Sequence, residues 1–207
     1  MALQPSLNPL LVVGPPTAPH TLDIFLDFVC PFSKKSALNA INGVLRDKLL
    51  APGGEFEGRV KVLFRPQVQP WHGGSQLTHE AALAVLRVAP QSFWAFSTAL
   101  FEHQDEYFDT AIEHLTPAQV REKLVTLAEG IIGKDKATAV HDLLQYKRQG
   151  NPGNAVTDDL KYTIKFARQN SIHVSPTVLL NGLIANEISS SWGEKEWTDF
   201  LRQKAAV

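Results

Sequence analysis

The chain opens its regular patterning at "TLDIFLDF", residues 21 to 28. There Leu22, Ile24, Leu26 and Phe28 alternate with Thr21, Asp23, Phe25 and Asp27, the period of a β-strand. After Pro31 the period changes. Leu38, Ile41, Leu45 and Leu49 recur at three- and four-residue spacings, which predicts an amphipathic helix. "APGGEFEG" interrupts that helix, and "RVKVLF", residues 59 to 64, predicts a second strand ending before Pro66. From about residue 75 to 150 only helical periods follow. One run opens at Thr78. Another carries Phe93, Phe96, Leu100 and Phe101 on one face. A third begins with a capping box, Thr116 facing Gln119, with Pro117 at the first helical position. A fourth spans "KATAVHDLLQYKRQ", residues 136 to 149, and "GNPGN" breaks it.

Mixed structure then returns. Val156, Leu160, Ile164 and Ala167 mark a helix face, and "PTVLLNGLIA" reads as two short strands joined at Asn181-Gly182. A second capping box, Ser191 facing Glu194, starts a last helix through "KEWTDFLRQ". The pattern is that of one α/β unit whose two halves flank an all-helical insertion.

Composition narrows the classes. Of 207 residues, 44% are hydrophobic and 20% charged, and 20 basic residues face 21 acidic ones. A net charge of -1 favours neither nucleic acid nor an anionic membrane as partner. The first twenty residues lack Lys and Arg and hold one brief apolar run, Leu10 to Val13. A secretory or transit signal is not expected from that pattern, and a cytoplasmic location is. The histidines show no metal-ligand spacing; His72 and His79 share a region without it, and no metal is expected.

Chemistry concentrates at Cys30, the single cysteine. It stands where strand gives way to helix, near the unpaired amides of a helix start, whose positive end favours thiolate over thiol. Ser33 follows one turn later, so its hydroxyl can donate to the sulfur or cap the helix. Phe32 offers an apolar wall, and Lys34 and Lys35 lie in the first turn. Asp27 can relay protons to the sulfur or bond turn amides, and the turn is the favoured reading. Trp71 and His72 can line a groove between core and insertion. Phe93, Trp94, Phe96 and Phe101 are expected to form the insertion's own core.

"FLDFVCPFS", "FRPQVQPWHGG", "SFWAFSTALFEHQ" and "HVSPTVLLNG", in that order, resemble the DsbA-like branch of the thioredoxin superfamily over about residues 8 to 203. The resemblance implies a thioredoxin-like α/β core over 8–68 and 155–203, a helical insertion over 69–154 and an extension over 1–7. The family's site is Cys-x-x-Cys at the start of the first helix, faced by a loop with a cis-proline. Cys30 matches the first cysteine, Ser33 replaces the second, and the proline falls on Pro176 after Ser175. The missing second thiol tells against dithiol oxidase activity. Kappa-class glutathione transferases, in the same branch, carry a serine where Cys30 stands.

The expectation is therefore glutathione-linked chemistry with Cys30, Ser33 and Pro176 at its centre. Phe32, Trp71, Ser175 and Thr177 would meet the thiol or peptide substrate, and glutathione would be the co-substrate. The activity would be monothiol thiol–disulfide exchange, or a glutathione-dependent transfer or isomerisation. The alternative is a thioredoxin-fold module that binds thiols, peptides or small molecules without turnover.

Overall fold

A computed structural model describes residues 3–146 and 149–205. Its centre is a five-stranded sheet of order β1-β3-β2-β4-β5. β1 is Leu11–Val13, β2 His20–Leu26, β3 Val60–Pro66, β4 Thr177–Leu180 and β5 Leu183–Ile184. β2 and β3 run parallel, with His20 opposite Val60 and Leu26 opposite Pro66. The other pairings are antiparallel. The crossover from β2 to β3 is the helix that starts directly after Cys30.

That helix, α1 (Pro31–Lys35), continues as a π-wound stretch over Ser36–Leu49. Ile41, Leu45 and Leu49 are buried as the spacing predicts, with Ala37, Ala40 and Val44 beside them, whereas Leu38 is half-buried.

The insertion comprises α2 (Ser75–Val88), α3 (Phe93–Glu102), the single turn α4 (Asp109–Ile112), α5 (Pro117–Ile132) and α6 (Lys134–Leu144). The Thr116–Gln119 capping box forms as the sequence reads. The fourth helix ends at Leu144 instead of running to 149; Lys147 and Arg148 lie outside the described residues. α2 starts three residues before Thr78 and is buried on almost every side. It is the axle on which the insertion meets the sheet. The aromatic cluster does not form a separate core. Phe64 of β3 meets Phe93 at 5.8 Å and Trp94 at 5.7 Å, and Phe28 meets Phe101 at 5.0 Å. One continuous core therefore joins insertion and sheet.

The chain closes with α7 (Thr157–Gln169), the β4–β5 hairpin and α8 (Glu194–Lys204). Asn181 and Gly182 turn the hairpin with φ of 52° and 88°, the two left-handed residues a two-residue loop of this hand requires. α8 begins later than expected. Gly193 is its N-cap, and its amide donates to Glu196 Oε2 at 3.0 Å. The Ser191–Glu194 box does not form; Ser191 instead bonds back to Ser189.

Both faces of β2 are covered. Asp23 and Phe25, on the second face of β2, are fully buried. α7 lies over that face, with Ala167 and Phe166 packed against Phe25 and Leu179. Asp23 is paired there with Arg65 of β3, which donates to it at 2.7 Å in a charge-assisted bond. The brief apolar run at Leu10–Val13 supplies β1 at the sheet edge, and Leu7 and Leu10 before it are buried.

Candidate functional site

Three loops converge at the C-terminal end of β2: the turn into α1, the segment after β3 and the segment before β4. Cys30 is the N-cap of α1. Its carbonyl accepts the Lys34 amide at 3.1 Å, and Pro31 occupies N1, where a missing N–H costs nothing. The Cys30 side chain is buried at 5% exposure. Its thiol donates to the Ser175 carbonyl at 3.5 Å, and the Ser175–Pro176 peptide bond is cis. The structure thus brings Cys30, Ser175 and Pro176 together, from positions 145 residues apart.

Ser33 lies beneath this contact, fully buried. Its hydroxyl accepts the Asp27 amide at 3.2 Å. It makes no hydrogen bond to the Cys30 sulfur and does not cap α1, so neither role read from spacing is the one it plays. The chain before α1 doubles back, with the Cys30 amide bonded to the Asp27 carbonyl at 3.1 Å. That return brings the Asp27 amide, and not the sulfur, to the Ser33 oxygen. Lys34 donates to the Glu102 carbonyl at 3.0 Å, and Lys35 sits over the Phe32 ring at 5.8 Å. Both cations are thus engaged away from the thiol.

Asp27 organises the floor of the site. It is fully buried, and its Oδ1 accepts the Val29 amide at 3.1 Å, which is the turn-forming role. Its Oδ2 accepts the Gln69 amide at 3.3 Å and pairs with His72 Nδ1 at 2.9 Å. Gln69, also buried, extends its side-chain amide to Ser175 Oγ at 3.0 Å. A chain of contacts thus runs from His72 through Asp27 and Gln69 to the serine that faces the thiol. From the insertion, Gln104 Nε2 donates to the carbonyls of Phe28 at 2.9 Å and Cys30 at 3.2 Å. Gln69 and Gln104 escaped the sequence reading. Gln69 stands two residues after Gln67, and Gln104 lies in the polar run Glu102 to Glu106, so neither is set apart from its neighbours by sequence.

Of the expected substrate contacts, Phe32 and Trp71 are both 58% exposed. Phe32 stands two residues after Cys30 in the first turn of α1. Trp71 stacks edge-on to His72 at 6.1 Å and borders a groove of about 320 Å³ that includes Ile164, Arg168 and His173. Thr177 spends its hydroxyl on the Val174 carbonyl at 2.8 Å and so closes the Ser175–Pro176 loop. His72 opens on a second cleft, of about 190 Å³, walled by Val29, Pro31, Phe108 and Asp109. This is a groove between core and insertion. Gly74 lets the connection pass tightly beneath it, since a Cβ there would meet the Tyr107 carbonyl at 2.3 Å. His79 is structural: its ring nitrogens face the carbonyls of Ser75 at 2.8 Å and Leu26 at 3.4 Å. Among the described residues no cluster of three or more His, Cys, Asp or Glu could hold a metal ion. No described helix is long and apolar enough to cross a membrane.

The geometry can be set beside known proteins. A solved structure from Pseudomonas syringae, proposed to be a protein-disulfide isomerase, is 30% identical; it superposes with a TM-score of 0.67 over 91% of this chain and 96% of that one. The oxidised BdbD of Bacillus subtilis (22% identity, TM-score 0.66, coverage 99% and 97%) and the DsbA of Chlamydia trachomatis (16%, 0.61, 94% and 92%) share the fold. Disulfide bond formation protein D of Bacillus subtilis is 34% identical over 115 residues, 55% of this chain. That match spans 47% of the relative's own length. The family model described as thioredoxin matches residues 8–201, nearly the whole fold including the helical insertion. On that match and that architecture, the chain belongs to the thioredoxin superfamily, in its DsbA type.

Proposed function

We propose that the protein carries out thiol–disulfide exchange with one protein thiol, Cys30, and that an external thiol, glutathione, completes the cycle. The observation that carries this is the placement of Cys30 Sγ at a helix start, 3.5 Å from the Ser175 carbonyl before the cis-proline, in a chain with no second cysteine. The names of the relatives, disulfide bond formation protein and proposed disulfide isomerase, support the same chemistry.

In the first step the Cys30 thiolate attacks one sulfur of a disulfide. A Cys30–S–S–R bond forms, the substrate S–S bond breaks, and the other half leaves as a thiolate. In the second, a glutathione thiolate attacks the sulfur carried by Cys30 and regenerates the free thiolate, while the leaving pair holds the new disulfide. Ser33 cannot take that second role, because its hydroxyl stays protonated and is a poor nucleophile toward sulfur. Phe32 and the Ser175–Pro176 backbone would hold the substrate through its main chain and apolar surface. A cycle closed by free glutathione belongs in a reducing compartment, which is why we place the protein in the cytoplasm.

Incubation with oxidised glutathione, followed by intact-protein mass spectrometry, tests the reading. One glutathionyl group should appear on Cys30 and persist until a reduced thiol is added. In Ser33→Cys the adduct should be expelled and an internal disulfide left, because a neighbouring thiol attacks at high effective concentration. If the wild-type chain takes up no glutathione while iodoacetamide still alkylates Cys30, the exchange reading falls. A binding module would then be the better description.

A further inference from the structure

A monothiol site has a requirement that a dithiol site does not. Its second nucleophile arrives from solution, mostly protonated. At pH 7 a thiol with the ordinary pKa of ~8.5 is only about 3% ionised. A base beside the path of that thiol could therefore raise the rate of the second step by up to about thirty-fold.

We propose that His72 is that base: oriented by Asp27, it takes the proton of the external thiol that releases the adduct from Cys30. The inference rests on the exchange reading above. Its own observations are separate from the Cys30–Ser175 contact. The imidazole is joined to a fully buried carboxylate through Nδ1 at 2.9 Å. That pairing fixes the ring and places its proton on Nδ1, so that Nε2 is left as the acceptor. Asp27 cannot swing away, because both its oxygens are held by main-chain amides, Val29 on one and Gln69 on the other. Among the described residues no hydrogen bond occupies Nε2, and the ring, one quarter exposed, lines the 190 Å³ cleft.

Two walls of that cleft, Val29 and Pro31, are the immediate chain neighbours of Cys30. A thiol lodged there would lie against the two residues that bracket Cys30 in the chain. His72 is not committed to Cys30 itself, whose thiol is turned to the Ser175 carbonyl. The titratable groups that face His72 are Asp27, its buried partner, and Asp109, which lines the cleft and whose Oδ1 takes the Gly73 amide at 2.6 Å.

The step balances. The external thiol gives its proton to His72 Nε2, and its sulfur forms a bond to the sulfur held on Cys30. The Cys30 S–S bond breaks, and Cys30 leaves as thiolate. The imidazolium then returns the proton to Cys30 or to water. Cys30 is reduced and the external thiol is oxidised to a disulfide.

The test uses the whole chain carrying a methylthio group on Cys30, placed with methyl methanethiosulfonate, so that it does not depend on acceptance of oxidised glutathione. Release is followed by mass spectrometry under excess reduced glutathione at pH 7, in the wild type and in His72→Gln. The variant should release about ten- to thirty-fold more slowly with glutathione. With an arylthiol that is already ionised at pH 7, the two proteins should agree within twofold, because no proton remains to be removed. Equal slowing with both thiols would mean that His72 only shapes the site, and equal rates with glutathione would mean that it does nothing; either result overturns the proposal. A His72→Gln defect confined to glutathione release, in a chain that also fails to take up oxidised glutathione, would uphold the base while removing the glutathione-disulfide reading. A Cys30 that accepts no methylthio group at all overturns both.

Discussion

Replacing Asp27 with alanine should destabilise this fold measurably, although it leaves the thiol itself untouched. Its carboxylate accepts the amides of Val29 at 3.1 Å and Gln69 at 3.3 Å, and His72 Nδ1 at 2.9 Å. Val29 and Gln69 are 3% and 2% exposed, so their amides have no route to bulk water. A hydrogen bond to a charged acceptor contributes about 1.5–3 kcal/mol, and a buried donor left alone costs a similar amount. The Gln69 amide keeps a second acceptor, Ser75 Oγ at 3.1 Å, so the Val29 amide carries most of the loss, about 1.5–3 kcal/mol. His72, one quarter exposed, can turn to water and adds little. Against a total of about 5–15 kcal/mol for a domain of this kind, Asp27→Ala should remove a substantial share of the stability. Asp27→Asn keeps one acceptor for Val29 but sets an amide N–H₂ against the Gln69 amide, and should lose about half as much. Urea unfolding followed by circular dichroism would measure both, with the slope unchanged if only stability differs. An Asp27→Ala loss below about 1.5 kcal/mol would mean that water reaches these amides, and the account of Asp27 as the organiser of the floor would be wrong.

Two further outcomes follow from other buried groups. Arg65→Met should cost about 3–5 kcal/mol by leaving Asp23 alone in the core, whereas the double variant Asp23→Leu/Arg65→Met should return to near wild type. The reason is that Asp23 Oδ2 and Arg65 Nη2 are already without partners, so the pair repays its desolvation poorly; urea unfolding of the four-member cycle checks it. Tyr107, 2% exposed, has its phenol pushed above the ordinary tyrosine range by burial first and by the Glu106 charge second. The unfolded chain then loses that proton before the folded one, so stability should fall as pH rises past about 10. Tyr107→Phe should flatten that part of the profile, measured as Tm between pH 8 and 11.

What the sequence by itself determined was largely local. Period-two and helical runs place the strands, the insertion and the last helix, because backbone geometry puts every second or every third to fourth side chain on one face. The Asn181-Gly182 turn and the Thr116 capping box are equally local, and both form as read. The order of four motifs was enough to recognise the superfamily and to single out Cys30, Ser175 and Pro176. Other features depended on which element covers which. The period-two pattern of β2 does not say that its second face is covered, which α7 does by packing on Phe25. The helix after Cys30 winds as a π-helix, and of its expected stripe only Leu38 is left half-buried. Ser33 turns to the Asp27 amide and not to the sulfur one turn away. The contacts that link Asp27 to His72 and Gln69, and Gln104 to the Cys30 turn, span 42 to 74 residues of chain. A polar side chain carries in its sequence no record of its partner; it bonds whatever unpaired donor or acceptor the tertiary packing leaves beside it. The thiol was therefore visible in the sequence, and the polar floor that positions it was decided only by the fold.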